Sequence, residues 1–273
     1  MKVFISVDME GISGIVDGTM VGRTQGDYEK GRSLMAQDVN AAIDGILSVG
    51  PAEITVCDAH GGMNNILPEA IRREAVLVRG RPKPQSQMAG IDPSYDACVF
   101  IGYHAKKGTR DGMLSHTYSG GSIESLHING VEVGETAMNA GIAGYHGVPL
   151  VFVSGDVAVT REALEVNGDI EVVAVKEAIS RVAAKCIHPE VAREMIMEGV
   201  ARAIRKHATI APHRVTLPVT FDIRFTDAKR ADAAAFIPSA ERLDGKAIRI
   251  SHGDYVKVYH GFLAAVACAT AFS

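Results

Sequence analysis

The sequence predicts an α/β fold: a mainly parallel sheet with helices on both faces, followed by a smaller C-terminal α+β subdomain. Three observations carry that expectation. Apolar runs at residues 3–7, 54–58, 97–103 and 150–153 read as buried strands. Segments with helical spacing lie between them, which is the alternation that builds parallel strands. From His188 onward the pattern changes to helix, extended stretch, Ala-rich helix, turn and closing helix. The predicted division is therefore an α/β domain over residues 1–188 and an α+β subdomain over residues 189–273.

Each element has a local reason. Val3, Phe4, Ile5 and Val7 form the first strand, and Asp8, Glu10 and Gly11 follow at once. Asp27 is a candidate cap for a helix to about Val49, with Gly50 as its stop. Residues 54–58 form the second strand, ahead of Ala59, His60 and two glycines. A helix-like segment at 67–74 and a brief strand at 76–78 precede a loop holding Pro82, Pro84 and Pro93. Residues 97–103 form a third buried strand that ends in His104, and residues 113–117 are short and extended. Asn129-Gly130 between apolar residues is a strong hairpin signal.

Gly134-Glu135 opens a helix to about Tyr145, rich in Ala and Gly and so packed tightly. A strand at 150–153, a helix at 160–166 and a strand at 170–175 complete the alternation. Pro189 sits in the first turn of a helix to about His207. Residues 215–225 are extended, and Thr226 is a candidate cap for the helix to Phe236. Asp244-Gly245 is a hairpin turn, and residues 255–271 close the chain as a helix.

Composition narrows the class. The 273 residues are 47% hydrophobic and 22% charged, an ordinary globular balance. A net charge of -4 and the lack of a basic run with interleaved aromatics argue against a nucleic-acid partner. The four cysteines are scattered in apolar contexts and form no C-x-x-C pair, as expected of reduced thiols in a cytoplasmic protein. No apolar run approaches the length of a membrane span, and no signal peptide is expected.

The chemistry gathers at strand ends. Asp8 and Glu10 lie on one side of the chain if the strand geometry persists, and two carboxylates without an intervening Lys or Arg repel each other. A metal ion would relieve that repulsion, although a solvated acidic turn would need none. His60 follows the second strand and His104 the third. Ligands of open α/β sheets bind at the carboxyl ends of strands, so neighbouring strands would bring these residues into one crevice. Glu135, opening its helix, could reach the same place.

The mixed His and carboxylate set suits zinc, with manganese or another divalent ion as alternatives. Two histidines and three carboxylates exceed one catalytic zinc's needs, but fit two ions if one carboxylate bridges them. His116 could move protons, stabilise an oxyanion or serve as a structural histidine. Asp58 is either an acceptor behind a ligand histidine or an ordinary strand-end Asp. Asn64 and Asn65 could bind substrate or make turns. No P-loop, dinucleotide fingerprint or G-x-S-x-G elbow is present.

Taken together, Ser6-Val7-Asp8-Met9-Glu10-Gly11-Ile12-Ser13-Gly14, Asp58-Ala59-His60, Met63-Asn64-Asn65, Gly102-Tyr103-His104-Ala105, Ser115-His116 and Gly134-Glu135 resemble the zinc D-aminopeptidase family of the dipeptide-transport type. Val175-Lys176, Ile179-Ser180-Arg181 and Lys185-Cys186 extend the likeness, which thins after about Pro189. The resemblance implies an aminopeptidase that removes an N-terminal D-amino acid from short peptides. It implies two zinc ions per subunit, with Asp8 bridging and Glu10, His60, His104 and Glu135 completing the ligands. His116 matches the family's catalytic histidine, and a homodecamer of stacked rings is implied for the assembly. Two rival readings stand beside this one: another two-metal amidohydrolase or phosphoesterase, and a non-catalytic metal- or peptide-binding protein.

Overall fold

Local sequence and long-range packing together make a two-sheet architecture. The computed structural model describes residues 1–271. In chain order the elements are β1 (Lys2–Val7), α1 (Gly18–Val21), α2 (Tyr28–Leu47), β2 (Glu53–Asp58), β3 (Ala75–Val78), β4 (Ala97–Tyr103), β5 (Ile123–Ile128), β6 (Val131–Glu132) and α3 (Glu135–Tyr145). They continue with β7 (Leu150–Asp156), α4 (Val157–Val166), β8 (Glu171–Ser180), β9 (Ala183–Cys186), α5 (Pro189–Lys206), β10 (Val219–Phe225), α6 (Ala228–Ala234), β11 (Ala240–Arg242), β12 (Ala247–His252) and α7 (Tyr255–Ala271).

The first sheet has the order β3-β2-β1-β4-β7-β8-β9. Its pairs are parallel except β8 with β9, which form an antiparallel hairpin. From β1 the chain winds outward through β2 and β3, then returns to place β4 on the other side of β1. That reversal leaves a crevice at the carboxyl ends of β1 and β4, where open α/β sheets bind ligands. β2, β1 and β4 are neighbours, so the strands followed by His60, by Asp8 and Glu10, and by His104 lie side by side.

The sheet is buried on both faces. Val3, Ile5 and Val7 pack into one apolar cluster with residues of α2 and α5. Phe4 points the opposite way, into a cluster shared with α3, α7 and the second sheet. This alternation is the pleat of a strand covered on both sides.

The second sheet is antiparallel, with the order β11-β12-β10-β5-β6. It joins the hairpin at 123–132 to strands from 219–252, while α5 packs on the first sheet beside α2. Asn129 and Gly130 turn the β5–β6 hairpin, both with positive φ (49° and 83°), as the sequence signal requires.

Several local expectations change. Asp27 sits at the start of α2 but makes no side-chain cap, and its carboxylate lies 3.4 Å from Lys30 Nζ instead. Residues 67–74 hold only a single 3-10 turn, at Pro68–Ala70. Asp227, not Thr226, caps α6 by accepting from Arg230 N, while the Thr226 hydroxyl donates to Gly121 O. The β8–β9 hairpin had no signature in the sequence, because Ser180-Arg181-Val182 lacks a Gly, Asn or Pro turn.

Candidate metal centre

The chain leaving β1 is held across the end of β4. Asp8 N donates to Ile101 O at 2.9 Å and Gly11 N to Gly102 O at 2.8 Å. A Cβ on Gly11 would stand 1.9 Å from Tyr103 O, so only glycine permits this approach. Asp8 and Glu10 thereby turn inward and are buried. His60 comes from the turn after β2, His104 from the end of β4 and Glu135 from the first residue of α3. His116 lies on the irregular segment between β4 and β5, where Leu114 and Tyr118 take left-handed backbone angles (φ 49° and 59°).

All six residues converge. His60 Nδ1 is 3.1 Å from Asp8 Oδ1 and 3.0 Å from Glu10 Oε2. His104 Nε2 is 3.4 Å from Asp8 Oδ2 and 3.2 Å from Glu135 Oε1. The two oxygens of Asp8 therefore face two different imidazoles, each backed by its own glutamate. His116 Nε2 lies 3.8 Å from Glu135 Oε1, and its ring stacks on His104 with centroids 4.1 Å apart. Two sets, Asp8 with Glu10 and His104, and His104 with His116 and Glu135, each offer donor atoms within 4.8 Å of one another.

The far nitrogen of each ring is engaged by main chain. His60 Nε2 is 3.0 Å from Val21 O, His104 Nδ1 is 3.0 Å from Ala105 O, and His116 Nδ1 is 3.0 Å from Leu114 O. Donation to those carbonyls leaves the inward nitrogens as lone pairs aimed at carboxylates, which is how ligand histidines are oriented. Such a lone pair needs a proton or a cation in front of it. His104 Nε2 shows this most plainly, being buried with no hydrogen-bond partner.

Electrostatics point the same way. Burial opposes a charge on His60, but Glu10 and Asp8 outweigh it and raise its pKa well above the ordinary histidine value. Burial likewise opposes charge on His104, and Glu135 and Asp8 raise it well above that value. Burial would raise Glu10, yet His60 holds it well below the carboxylate range. Burial and Glu10 would raise Asp8, but His104 and His60 keep it low. Glu135 is kept low against burial by His104 and His116. The pocket thus demands positive charge among three buried carboxylates.

The residues fit zinc. Nitrogen and carboxylate donors match its preference, and ligands about 2.0–2.1 Å from a tetrahedral ion sit about 3.3 Å apart. The donor pairs here are 3.0–3.4 Å apart. The site opens into a cavity of about 620 Å³, lined in part by Asp8, His60, His116 and Glu135, a size that suits a small ligand.

Of the two roles open to Asp58, the structure shows the strand-end one. Its oxygens accept from Asn65 N, Asn65 Nδ2 and Ile66 N, so it pins the 60–66 turn, and Val21 O backs the His60 ring instead. Asn65 serves that turn as well, donating to His60 O.

Three supporting groups carry roles that the sequence does not assign, although Lys176 and Arg181 lie in the stretches that extend the family likeness. Buried Lys176 donates to Glu10 O, Ile12 O and Ile15 O at 2.6, 2.8 and 2.5 Å, and burial lowers its pKa to about 8. The Gln87 amide donates to Glu135 Oε2 and is itself oriented by Asn139, which also donates to Tyr103 OH. Arg181 donates to Leu114 O and Ser115 O on the His116 segment. Besides that likeness, a lysine ending the apolar run Val172–Val175 is the local signal for Lys176.

Known proteins share this arrangement of sequence and fold. The sequence profile of the D-aminopeptidase family matches residues 1–264. A D-aminopeptidase of Bacillus subtilis (strain 168) is 35% identical over 264 residues, covering 96% of each chain. The structure of the Zn-dependent D-aminopeptidase DppA from Bacillus subtilis, a self-compartmentalizing protease, superposes with a TM-score of 0.96 at 34% identity, over 99% of this chain and 98% of that one. The chain belongs to the D-aminopeptidase family of peptidases.

Proposed function

We propose that this protein is a zinc-dependent D-aminopeptidase that holds two zinc ions per subunit and removes the N-terminal D-residue of short peptides. One observation carries the two-ion reading: the Asp8 oxygens face His60 with Glu10 on one side and His104 with Glu135 on the other. Asp8 would hold both ions, and Glu10, His60, His104 and Glu135 would complete the ligand set. When bound, zinc supplies a Lewis acid for the scissile carbonyl and positive charge for the oxyanion that develops there.

The chain's own residues position and move protons. His116 Nδ1 is tied to Leu114 O, which leaves Nε2 free at the cavity wall, 19% of its side chain exposed. From there Nε2 serves either as the nucleophile or as the base that takes a proton from water and returns it to the leaving amine. Tyr118 N donates to Glu135 Oε1 at 2.7 Å and fixes that carboxylate beside His116.

A homo-oligomer, with a decamer of stacked rings as its form, completes the reading. The similar DppA of Bacillus subtilis, a self-compartmentalizing protease, supports it. A cytoplasmic location accords with four free cysteines, and no described helix is long and apolar enough to cross a membrane.

His116→Ala tests the assignment. Zinc content should stay near wild type while turnover of D-alanyl peptides is abolished. Parallel loss of zinc would make His116 a ligand instead. Wild-type turnover of phosphoesters, with D-alanyl peptides left intact, would overturn the peptidase reading.

A further inference from the structure

The cavity beside the metal centre carries charge that the ligand set does not explain. Arg81 and Lys83 both line it, together with Asp8, His116 and Glu135. Arg81 Nη1 donates to Gly61 O at 3.2 Å, next to His60 in sequence. Lys83 Nζ donates to Asp58 O at 2.6 Å and touches Cys57 Sγ at 3.1 Å, at the end of β2. Both cations are thus seated by neutral acceptors on the segment that carries His60. Neither forms an ion pair with a carboxylate among the described residues, although acidic groups lie in the same cavity. Leu263, Val266 and Ala267 of α7 supply an apolar wall to that cavity.

An exposed guanidinium and a half-buried ammonium on one cavity wall, neither with a carboxylate partner among the described residues, are matched to an anionic ligand. We propose that Arg81 and Lys83 form a carboxylate subsite that receives the C-terminal carboxylate of the bound peptide. The proposal rests on the peptidase reading above, and it deepens that reading by naming the chemical end of the substrate that the cavity selects. With the reacting carbonyl at the metal centre and the far carboxylate on Arg81 and Lys83, the enzyme prefers short peptides with a free C-terminus. Each residue adds at most about 3.3–3.6 Å of reach, so a subsite fixed relative to the metals also limits peptide length.

The test uses the full-length zinc-loaded protein and three substrates. These are D-alanyl-D-alanine, its C-terminal amide, and D-alanyl-D-glutamate α-amide, which carries its carboxylate on the side chain. Wild type should favour the free acid over the plain amide by about ten- to hundredfold in kcat/KM, the range of a charge-assisted hydrogen bond. Arg81→Met should bring that ratio near one, Arg81→Lys should keep part of it, and Lys83→Met should lower it, all with wild-type zinc content. Activity on the glutamate α-amide equal to that on the free acid would assign the subsite to a side-chain carboxylate and refute the C-terminal one. An equal rate on acid and plain amide in wild type, or a ratio unchanged in both Met variants, overturns the subsite while leaving the peptidase reading intact. Failure of zinc-loaded wild type to cleave any of the three would overturn the peptidase reading and the subsite with it.

Discussion

Replacing Lys176 with methionine tests whether a buried cation holds the acidic loop in register. Methionine keeps most of the apolar stem and adapts to irregular space. The lost ammonium donates to Glu10 O, Ile12 O and Ile15 O. Ile12 O keeps its hydrogen bond from Ile15 N at 3.2 Å, so the penalty falls mainly on the carbonyls of Glu10 and Ile15. A buried acceptor stripped of its donor costs about 1–3 kcal/mol, or about 2–6 kcal/mol for the two.

An opposing effect reduces this. Burial holds the Lys176 pKa at about 8 rather than 10.5, a folding cost of about 3 kcal/mol that methionine does not carry. The net change is therefore between about 1 kcal/mol of stabilisation and about 3 kcal/mol of destabilisation, and the variant folds. The functional effect falls on the metal site, because the released carbonyl belongs to Glu10 itself. Zinc affinity should fall about ten- to hundredfold, as it does when the groups that orient a ligand are lost. A competition titration against a chromogenic chelator, run beside thermal melts of the metal-free protein, measures both effects. Wild-type zinc affinity in Lys176→Met would refute the reasoning, as would a variant too unstable to fold.

Two further predictions follow from the same geometry. In the metal-free site the carboxylates raise His60 and His104 well above the ordinary value, so both imidazoles hold protons that zinc must displace. Zinc affinity should therefore rise with pH, by up to tenfold per unit for each proton displaced, and zinc should leave as pH falls; an affinity flat from about pH 6 to about pH 8 would contradict this. Arg181→Ala removes the donors to Leu114 O and Ser115 O, and with them the anchor of the carbonyl that orients His116. Its kcat should drop about tenfold with zinc content unchanged and partial recovery in Arg181→Lys, whereas an unchanged kcat would leave Arg181 a surface residue.

Much of this was readable from the sequence because the chemistry is tied to strand ends. The apolar runs located β1, β2 and β4, and the polar residue types after each run marked Asp8, Glu10, His60 and His104. The strand order that makes these runs neighbours is a long-range property that periodicity does not encode. The second sheet was illegible for the same reason, since β5 and β10 pair across nearly a hundred residues. Outer contacts were hardest to foresee. Val21 O behind His60 is a main-chain atom, and Lys176 reaches Glu10 across 166 positions. Alternation places Asp58 near His60 and leaves its role open, and the turn that follows engages it with main-chain donors.

Sharing of Asp8 by two zinc ions would leave a direct crystallographic signature. A crystal structure of the zinc-loaded protein, with anomalous scattering recorded at the zinc edge, tests it most directly. Two peaks about 3.5–4 Å apart are expected, one between Asp8 Oδ1, Glu10 and His60 and the other between Asp8 Oδ2, His104 and Glu135. A single peak, or one ion held by His60 and His104 together, would contradict it.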